Sequence, residues 1–227
     1  VHRTFQYEGR VYRAAPEMND WEQFDYWAPL GAFLLPLRGS LDAFPKASGY
    51  LKADPDRVAH WKAELEKLGP LPKIGLLWKS LKLNAERARQ FSPFEAWRPV
   101  LQTPGVTFIN LQYGDCDEEL AHAKEEFGIE IWQPPGIDLK QDLDEVTALG
   151  AAVDLIIGFS NATTNLAAST GAPIWLLTSP GAWTQLGSDY YPWYPQARVF
   201  SPAVMGDWNP AIAEIAAALR EKTAKTV

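Results

Sequence analysis

The sequence VDLIIGFSNATTNLAA, residues Val153–Ala168, is the segment that most clearly specifies the fold class. A continuous apolar run ends in a turn of small residues, and a stretch with helical character follows at once. Buried apolar strands followed directly by helices are typical of parallel sheets, whose ligands bind at the carboxyl ends of the strands. The segment therefore predicts a strand-to-helix junction in an α/β domain.

The turn at this junction is a candidate anion site. Ser160 or Asn161 can cap the following helix, and the next backbone N–H groups then carry a partial positive charge without an intrahelical acceptor. Such a helix start favours a phosphate. The alternative is an ordinary capped core helix that binds nothing. The residues predicted to hold the phosphate are Ser160, Asn161, Thr163, Thr164 and Asn165.

Strand-like and helix-like segments alternate on both sides of this junction. Further strands are predicted at the apolar runs 73–78, 106–112, 129–132, 173–178 and 198–200. Helices are predicted to begin near Ser92, Asp117, Asp142 and Asn209, and Ser92–Glu95 has the form of a capping box with a proline at the first helical position. This alternation predicts a Rossmann-like parallel sheet with helices on both faces.

The chain is expected to divide into three parts. Residues 73–227 form the Rossmann-like domain, and residues 54–72 form a helical linker that Asp54 caps. On that helix His60 lies off the apolar stripe and is expected to be exposed. Residues 1–53 hold a short hairpin near 7–12 and an aromatic run at 21–33. We interpret them as an N-terminal extension, the remnant of an acceptor-type domain.

Composition narrows the class of function. The net charge of −7 argues against nucleic acid as a partner, and no apolar run approaches the roughly 20 residues of a membrane span. The single cysteine, Cys116, fits a cytoplasmic location. The sequence has no P-loop, no dinucleotide-binding fingerprint and no zinc-ligand spacing. We therefore expect neither a metal nor a cofactor.

The turn after the first strand of this domain is a second anion-binding candidate. Lys79 and Ser80 follow the 73–78 strand, on the edge of the sheet where the 153–158 strand also ends. A lysine ammonium can neutralise a phosphate. The alternative is a solvated basic loop. We predict that Lys79 and Ser80 face the phosphate bound at the other junction.

Three residues that follow the next two strands are candidates for base or ribose contacts. Gln112 and Tyr113 end the second strand, and Trp132 ends the third. An aromatic ring there can stack on a nucleobase, although Trp132 can equally be core. The segment 181–184, Gly-Ala-Trp-Thr, also follows a strand and is a candidate for a further donor or sugar contact.

Several of these segments resemble a known family. Gly75–Ser80, Asp154–Leu166 and Gly171–Leu177 resemble the C-terminal half of GT-B glycosyltransferases. Tyr191–Phe200 and Gly206–Trp208 are similar to the heptosyltransferase-like domain at the end of bacterial tetratricopeptide-repeat proteins. Within that group the chain resembles the flagellin-modifying glycosyltransferases, which transfer nonulosonic acids from CMP-activated donors.

The resemblance implies the donor-binding domain of a metal-independent, inverting glycosyltransferase. Its substrate would be a CMP- or UDP-type nucleotide sugar, and its partners a protein acceptor such as flagellin and a missing N-terminal domain or tetratricopeptide repeats. Heptosyltransferases usually carry Asp-Thr-x-x-x-His where Ser160 and Asn165 hold the outer positions here, which speaks against ADP-heptose. The family's general base lies in the N-terminal domain, so no catalytic residue is assigned to this chain.

Two other functions stay open. A non-catalytic Rossmann-like module would dock a protein partner through the aromatic segment 21–33, and an exposed aromatic patch would favour it. An epimerase or other sugar-nucleotide enzyme of GT-B architecture needs two complete Rossmann halves, which this chain does not supply.

Overall fold

The computed structural model describes residues 6–7, 10–11, 30–80 and 89–224. Two short strands, β1 (Gln6–Tyr7) and β2 (Arg10–Val11), pair in an antiparallel manner, which confirms the hairpin predicted near 7–12. Of the predicted aromatic segment 21–33, residues 21–29 lie outside the described residues.

The remaining strands form one sheet. They are β3 (Lys73–Leu77), β4 (Thr107–Asn110), β5 (Ile131–Trp132), β6 (Leu155–Phe159), β7 (Ile174–Leu177) and β8 (Ala197–Phe200). The α-helices of the described residues are α1 (Leu34–Leu37), α2 (Pro55–Glu66), α3 (Arg98–Leu101), α4 (Asp117–Phe127), α5 (Leu143–Ala152), α6 (Ala162–Ser169) and α7 (Asn209–Ala224). Short 3₁₀ turns lie at Leu30–Phe33, Leu41–Ala43, Phe94–Trp97 and Trp183–Gln185.

The sheet is parallel throughout, with the strand order β5-β4-β3-β6-β7-β8. The chain runs outward from β3 to β5, returns to β6 beside β3, and runs outward again to β8. This order is that of a doubly wound sheet, in which ligands bind at the point where the strand order reverses. The fold is therefore α/β and Rossmann-like, as predicted, and its switch point lies between β3 and β6.

Helices cover both faces of the sheet. On one face α3, α4 and α7 pack over a core that includes Ile157 and Phe159, and on the other α2, α5 and α6 pack over a core that includes Ile156 and Leu176. Ile156 and Ile157 are adjacent in β6 and belong to opposite cores, because successive side chains of a strand point to opposite faces. Burial of this apolar surface is the main favourable contribution to the stability of the domain.

Close packing at the switch point depends on glycine. A Cβ atom on Gly158 of β6 would lie 2.6 Å from the carbonyl oxygen of Leu77 in β3. Likewise, a Cβ on Gly150 of α5 would lie 2.7 Å from the Cβ of Ala167 in α6. Both distances are too short for real contacts, so these glycines permit the close approach of β3 to β6 and of α5 to α6.

Helix α2 packs against α5 through polar contacts to Glu145. The indole Nε1 of Trp61 donates to Glu145 Oε2 at 2.9 Å, and Arg57 forms an ion pair with the same carboxylate. Asp54 caps α2, since its carboxylate accepts from the backbone amides two and three residues further on at 3.0 and 3.4 Å. This cap was predicted, and His60 is exposed, as predicted.

The capping box predicted at Ser92–Glu95 is wrong. The segment enters a 3₁₀ turn at Phe94–Trp97 with no side-chain cap, and only α3 follows it. Ser92 Oγ instead accepts a hydrogen bond from Trp97 Nε1 at 2.7 Å within the core. A buried indole N–H needs an acceptor, and Ser92 supplies it.

Two properties of the described residues bear on function. None of their helices is long and apolar enough to cross a membrane. The same part of the chain holds no group of three or more His, Cys, Asp or Glu side chains placed to bind a metal ion.

Candidate functional site

The start of α6 is an intact helix cap at the end of β6. Asn161 Oδ1 accepts from the backbone N–H of Thr164 at 3.2 Å, and Thr164 Oγ1 accepts from the backbone N–H of Asn161 at 2.9 Å. The Thr164 hydroxyl also donates to the carbonyl oxygen of Phe159 at 2.9 Å. These reciprocal bonds join the strand to the helix and confirm the junction predicted from sequence.

Hydrogen-bond donors remain unused at this helix start. The cap satisfies the N–H of Thr164, while the N–H groups of Ala162 and Thr163 have no acceptor within the described residues. In this part of the chain the side-chain Nδ2 of Asn161 is also buried without a hydrogen-bond partner. Because α6 adds the positive end of its dipole, these donors form an arrangement suited to an anionic oxygen.

The other predicted residues of the junction lie around the same turn. Ser160 Oγ lies 3.3 Å from the hydroxyl of Tyr191 and accepts from Asn165 Nδ2 at 3.4 Å. Asn165 Nδ2 donates in addition to the carbonyl oxygen of Asn161 at 2.6 Å. The Thr163 side chain is buried, so its contribution to a ligand would come from its backbone N–H. Ligand binding by these residues stays a prediction.

The Lys79 turn lies beside this junction. Leu77 of β3 is in register with Gly158 of β6, and Lys79 and Ser160 each follow the paired position by two residues. Adjacent strands are about 4.8 Å apart, so the two turns are neighbours at the switch point. The fold therefore places the two anion-binding candidates side by side on one edge of the sheet, as the sequence predicted.

Lys79 has a protein partner that the sequence did not reveal. Its ammonium forms an ion pair with Glu119 of α4, and the two side chains are 21% and 22% exposed. Nearby, the Ser80 hydroxyl lies 3.4 Å from the hydroxyl of Tyr113. A phosphate at this turn would thus meet a lysine whose charge is partly neutralised. The signal available in the sequence was the acidic first turn of α4, which follows β4 on the same edge.

Gln112 supports the Lys79 turn from within the protein. Its Oε1 accepts from the backbone N–H groups of Trp78 at 3.1 Å and Lys79 at 2.9 Å, and its Nε2 donates to the carbonyl oxygen of Tyr113. Gln112 is only 1% exposed, so these contacts assign it a structural role. Tyr113 and Trp132 are half-buried, and Trp132 packs against the α2–α5–α6 core.

A cavity of about 430 Å³ opens where β6 and β7 end. Ser160 contributes to its wall, which places the cavity directly beside the capped helix start. Trp183, on the loop after β7, lies at the cavity with 73% of its surface exposed. This tryptophan belongs to the 181–184 segment that the sequence indicated as a candidate sugar contact.

A stack of tyrosines connects the surface to Ser160. The Tyr191 and Tyr194 rings are parallel with centroids 5.6 Å apart, and the Tyr50 ring stacks on Tyr194 at 6.1 Å. The Tyr50 and Tyr194 hydroxyls are 3.2 Å apart. Burial, and then the hydrogen bond with Tyr50, raise the pKa of Tyr194 well above its ordinary value. The hydroxyl next to Ser160 is that of Tyr191, a residue that the sequence did not mark as part of the site.

Comparison with known structures supports this description of the fold. The chain superposes on a glycosyl transferase of family 9 from Veillonella parvula with a TM-score of 0.56 at 15% identity, covering 80% of this chain and 56% of that one. It superposes on the ADP-heptose lipopolysaccharide heptosyltransferase II of E. coli with a TM-score of 0.50 at 15% identity, covering 80% of this chain and 57% of that one. At this identity the likeness shows a shared fold alone.

A relative of much higher identity is Protein FlbA of Caulobacter vibrioides. It is 65% identical over 221 residues, which are 97% of this chain and 37% of that protein. The chain thus spans little more than a third of the length of this relative. No protein-family model matches the chain.

Proposed function

We propose that this chain is the nucleotide-sugar-binding domain of a glycosyltransferase. The observation that carries the proposal is the pairing, at the switch point of the sheet, of the unused donors at the start of α6 with Lys79 after β3. Switch points of doubly wound sheets are where such folds bind ligands, and both elements favour an anion. The fold shared with a family 9 glycosyl transferase adds support.

In this proposal the site stabilises the departing nucleotide. The backbone N–H groups of Ala162 and Thr163 and the Asn161 amide donate to phosphate oxygens, and the Lys79 ammonium offsets their charge. Positive charge supplied in this way lets the leaving group depart without a divalent cation. The group that deprotonates the acceptor hydroxyl is assigned outside this chain, so the chain supplies the donor half of the reaction.

The finer proposal concerns the donor and the acceptor. Ser160 and Asn165 make the pocket uncharged at the two positions where heptosyltransferases carry Asp and His, which favours a CMP- or UDP-type donor over ADP-heptose. A nonulosonic acid is the proposed sugar, and a protein, flagellin, the proposed acceptor in a bacterial cytoplasm. Both follow from the resemblance to flagellin-modifying glycosyltransferases, as does a partnership with tetratricopeptide repeats.

Calorimetric titration of the chain with CMP, UDP, GDP and ADP tests the proposal. We expect selective binding of one nucleotide, weakened about tenfold or more in Lys79→Ala, because a charge-assisted hydrogen bond contributes about 1.5–3 kcal/mol. Lys124→Ala is the matched control, since Lys124 is an exposed lysine of α4. If none of the four nucleotides binds, the proposal fails, and if Lys79→Ala binds normally, Lys79 is not part of the site.

A docking module is the second candidate function. Phe33, Leu35 and Leu37 are 45%, 81% and 58% exposed. Phe33 ends the aromatic segment 21–33, of which residues 21–29 lie outside the described ranges, and the two leucines follow it. Apolar side chains exposed together favour contact with a protein partner. A chain that binds none of the four nucleotides, and whose association with a partner is lost in Leu35→Lys, would support this function over the first.

A further inference from the structure

The cavity between the ends of β6 and β7 shares only Ser160 with the residues predicted to hold the phosphate. We propose that it binds the sugar ring of the nucleotide sugar and that Trp183 is the surface on which this ring stacks. The inference rests on the proposed function and specifies which part of the donor lies where. Its evidence is the composition of the cavity, the way the protein holds Trp183, and the position of the cavity along the sheet.

The cavity suits an amphipathic ring in size and lining. Its volume of about 430 Å³ lies within the range of small-molecule sites and accommodates one substituted monosaccharide. A sugar ring presents C–H groups on its faces and hydroxyl groups at its edge, so it needs aromatic surface and hydrogen-bonding groups together. The cavity offers both kinds, in Phe91, Phe159, Trp183, Ser160, Thr178 and Thr184.

The protein holds Trp183 in an exposed position through an ordered loop. Gln185, which is 8% exposed, accepts from the Thr178 hydroxyl and donates to the Ser188 carbonyl oxygen, both at 3.3 Å. The next residue, Leu186, has a φ of 52°, a left-handed conformation that costs energy for a branched side chain. These contacts fix the loop, while the indole of Trp183 itself remains 73% exposed. A fixed and exposed tryptophan beside a cavity is suited to stacking on a ligand ring.

In this proposal the strand order sets where the base, the phosphate and the sugar of the ligand lie along the edge of the sheet. Ser160 belongs to the cavity wall and directly precedes Asn161, the cap of the phosphate site. The cavity therefore begins on the β6 side of the switch point and extends toward β7, within reach of a sugar linked to a phosphate bound at the start of α6. Tyr113 and Trp132 are candidates for contact with the base. Tyr113 follows β4 and Trp132 is the last residue of β5, so both lie on the opposite side of the switch point. A nucleotide with its base there directs its sugar toward β7.

The experiment compares bare nucleotides with nucleotide sugars on the intact chain. The probes are CMP with CMP-N-acetylneuraminate, and UDP with UDP-N-acetylglucosamine, measured by calorimetry and by saturation-transfer NMR. The variants are Trp183→Ala, Trp183→Phe and, as a control, Tyr190→Ala. Tyr190 is an aromatic residue of the same loop, 42% exposed, and it does not line the cavity.

We expect Trp183→Ala to weaken binding of the nucleotide sugar about three- to tenfold, the range of a lost ring-stacking contact, and to leave binding of the bare nucleotide unchanged. Saturation transfer to the sugar protons should fall, transfer to the base protons should persist, and Trp183→Phe should restore much of the affinity. Tyr190→Ala should leave both ligands unaffected.

The remaining outcomes overturn the inference in distinguishable ways. If Trp183→Ala weakens the bare nucleotide as strongly as the nucleotide sugar, Trp183 stacks on the base. If the bare nucleotide binds and Trp183→Ala changes neither ligand, the sugar lies elsewhere while the proposed function stands. If the unaltered chain binds no probe, the proposed function and this inference both fail.

Discussion

Lys79 and Glu119 form an ion pair at the edge of the sheet where β3 ends, although 40 positions separate them in the sequence. Lys79 is the cation that we propose for the phosphate, so a bound nucleotide would share this lysine with the carboxylate or displace it. Glu119 therefore lowers the positive potential at the proposed phosphate position, which would weaken the attraction of an anion to it.

Replacing Glu119 with glutamine should tighten nucleotide binding. The substitution removes a negative charge beside the proposed phosphate position, and for partly exposed charges we expect a gain of about two- to fivefold in affinity at low salt. The gain should shrink at 1 M salt because the charges are screened. Calorimetry with the nucleotide selected by the titration measures the gain in affinity at low salt and at 1 M salt. Glu118→Gln, an exposed neighbour on the same helix, is the control, and weaker binding in Glu119→Gln would show instead that Glu119 positions Lys79.

Gln112→Leu should destabilise the domain. The substitution leaves the buried N–H of Trp78 and the N–H of Lys79 without the acceptor they share, which costs about 1–3 kcal/mol of the free energy of unfolding. Urea unfolding followed by tryptophan fluorescence measures the loss. Gln133→Leu, at an exposed position, should change stability little. Equal midpoints for the two variants would contradict the structural role assigned to Gln112.

Thr164→Val tests the helix cap at the proposed phosphate site. Valine keeps the shape of threonine and removes the hydroxyl that bonds to the Asn161 N–H and the Phe159 carbonyl oxygen. We therefore expect the free energy of unfolding to fall by about 1–2 kcal/mol. Thr170→Val removes a hydroxyl at the other end of α6, where it bonds only within the last turn, and should cost less. Chemical denaturation distinguishes them, and the opposite order would rule out the capping box as the main contribution of Thr164.

The buried Cys116 thiol should make the stability of the domain depend on pH. Burial raises the pKa of the Cys116 thiol, which is 4% exposed, above its ordinary value. The unfolded chain loses this proton above about pH 8.5, while the folded chain retains it to higher pH. The stabilisation that comes from this difference in pKa is therefore fully present below that pH. It declines as the pH rises, so the free energy of unfolding should fall.

Unfolding curves from pH 7 to pH 10 measure this effect, with Cys116→Ala as the comparison. Other groups titrate in the same range, but they do so in both proteins, so the difference between the two curves isolates the thiol. The stability of the unaltered chain should fall more steeply than that of Cys116→Ala. Parallel curves would contradict the prediction. The thiol should also react slowly with iodoacetamide until the chain unfolds.

Features that depend on neighbouring residues could be read from the sequence. The apolar run 153–158 and the small polar residues after it predicted β6, α6 and a cap at Ser160 or Asn161. The structure contains both elements and uses Asn161 as the cap. Asp54 was recognised as a cap for the same reason. The alternation of strands and helices led to the doubly wound sheet, because consecutive parallel strands need a crossover between them. The domain boundaries 1–53, 54–72 and 73–227 stay predictions.

Contacts between distant segments could not be predicted in this way. Ser92 satisfies the local pattern of a helix cap, yet in the folded chain it binds the Trp97 indole. The sequence did not reveal that Gln112 holds a turn 34 positions away, and its contact with a base or ribose stays a prediction. Tyr191 meets Ser160 across 31 positions, and no local pattern marks either residue for the other.

Local features could be predicted and distant contacts could not, because the two depend on interactions of different range along the chain. Backbone periodicity and capping chemistry act over a few residues, so the amino-acid order alone was enough to place the elements and the helix start that suits an anion. Which side chains share a site depends on the strand order and on the packing of helices over both faces. The ion pair of Lys79 and the cavity beside Trp183 arise only when these distant segments are brought together, and tertiary structure was needed to reveal them.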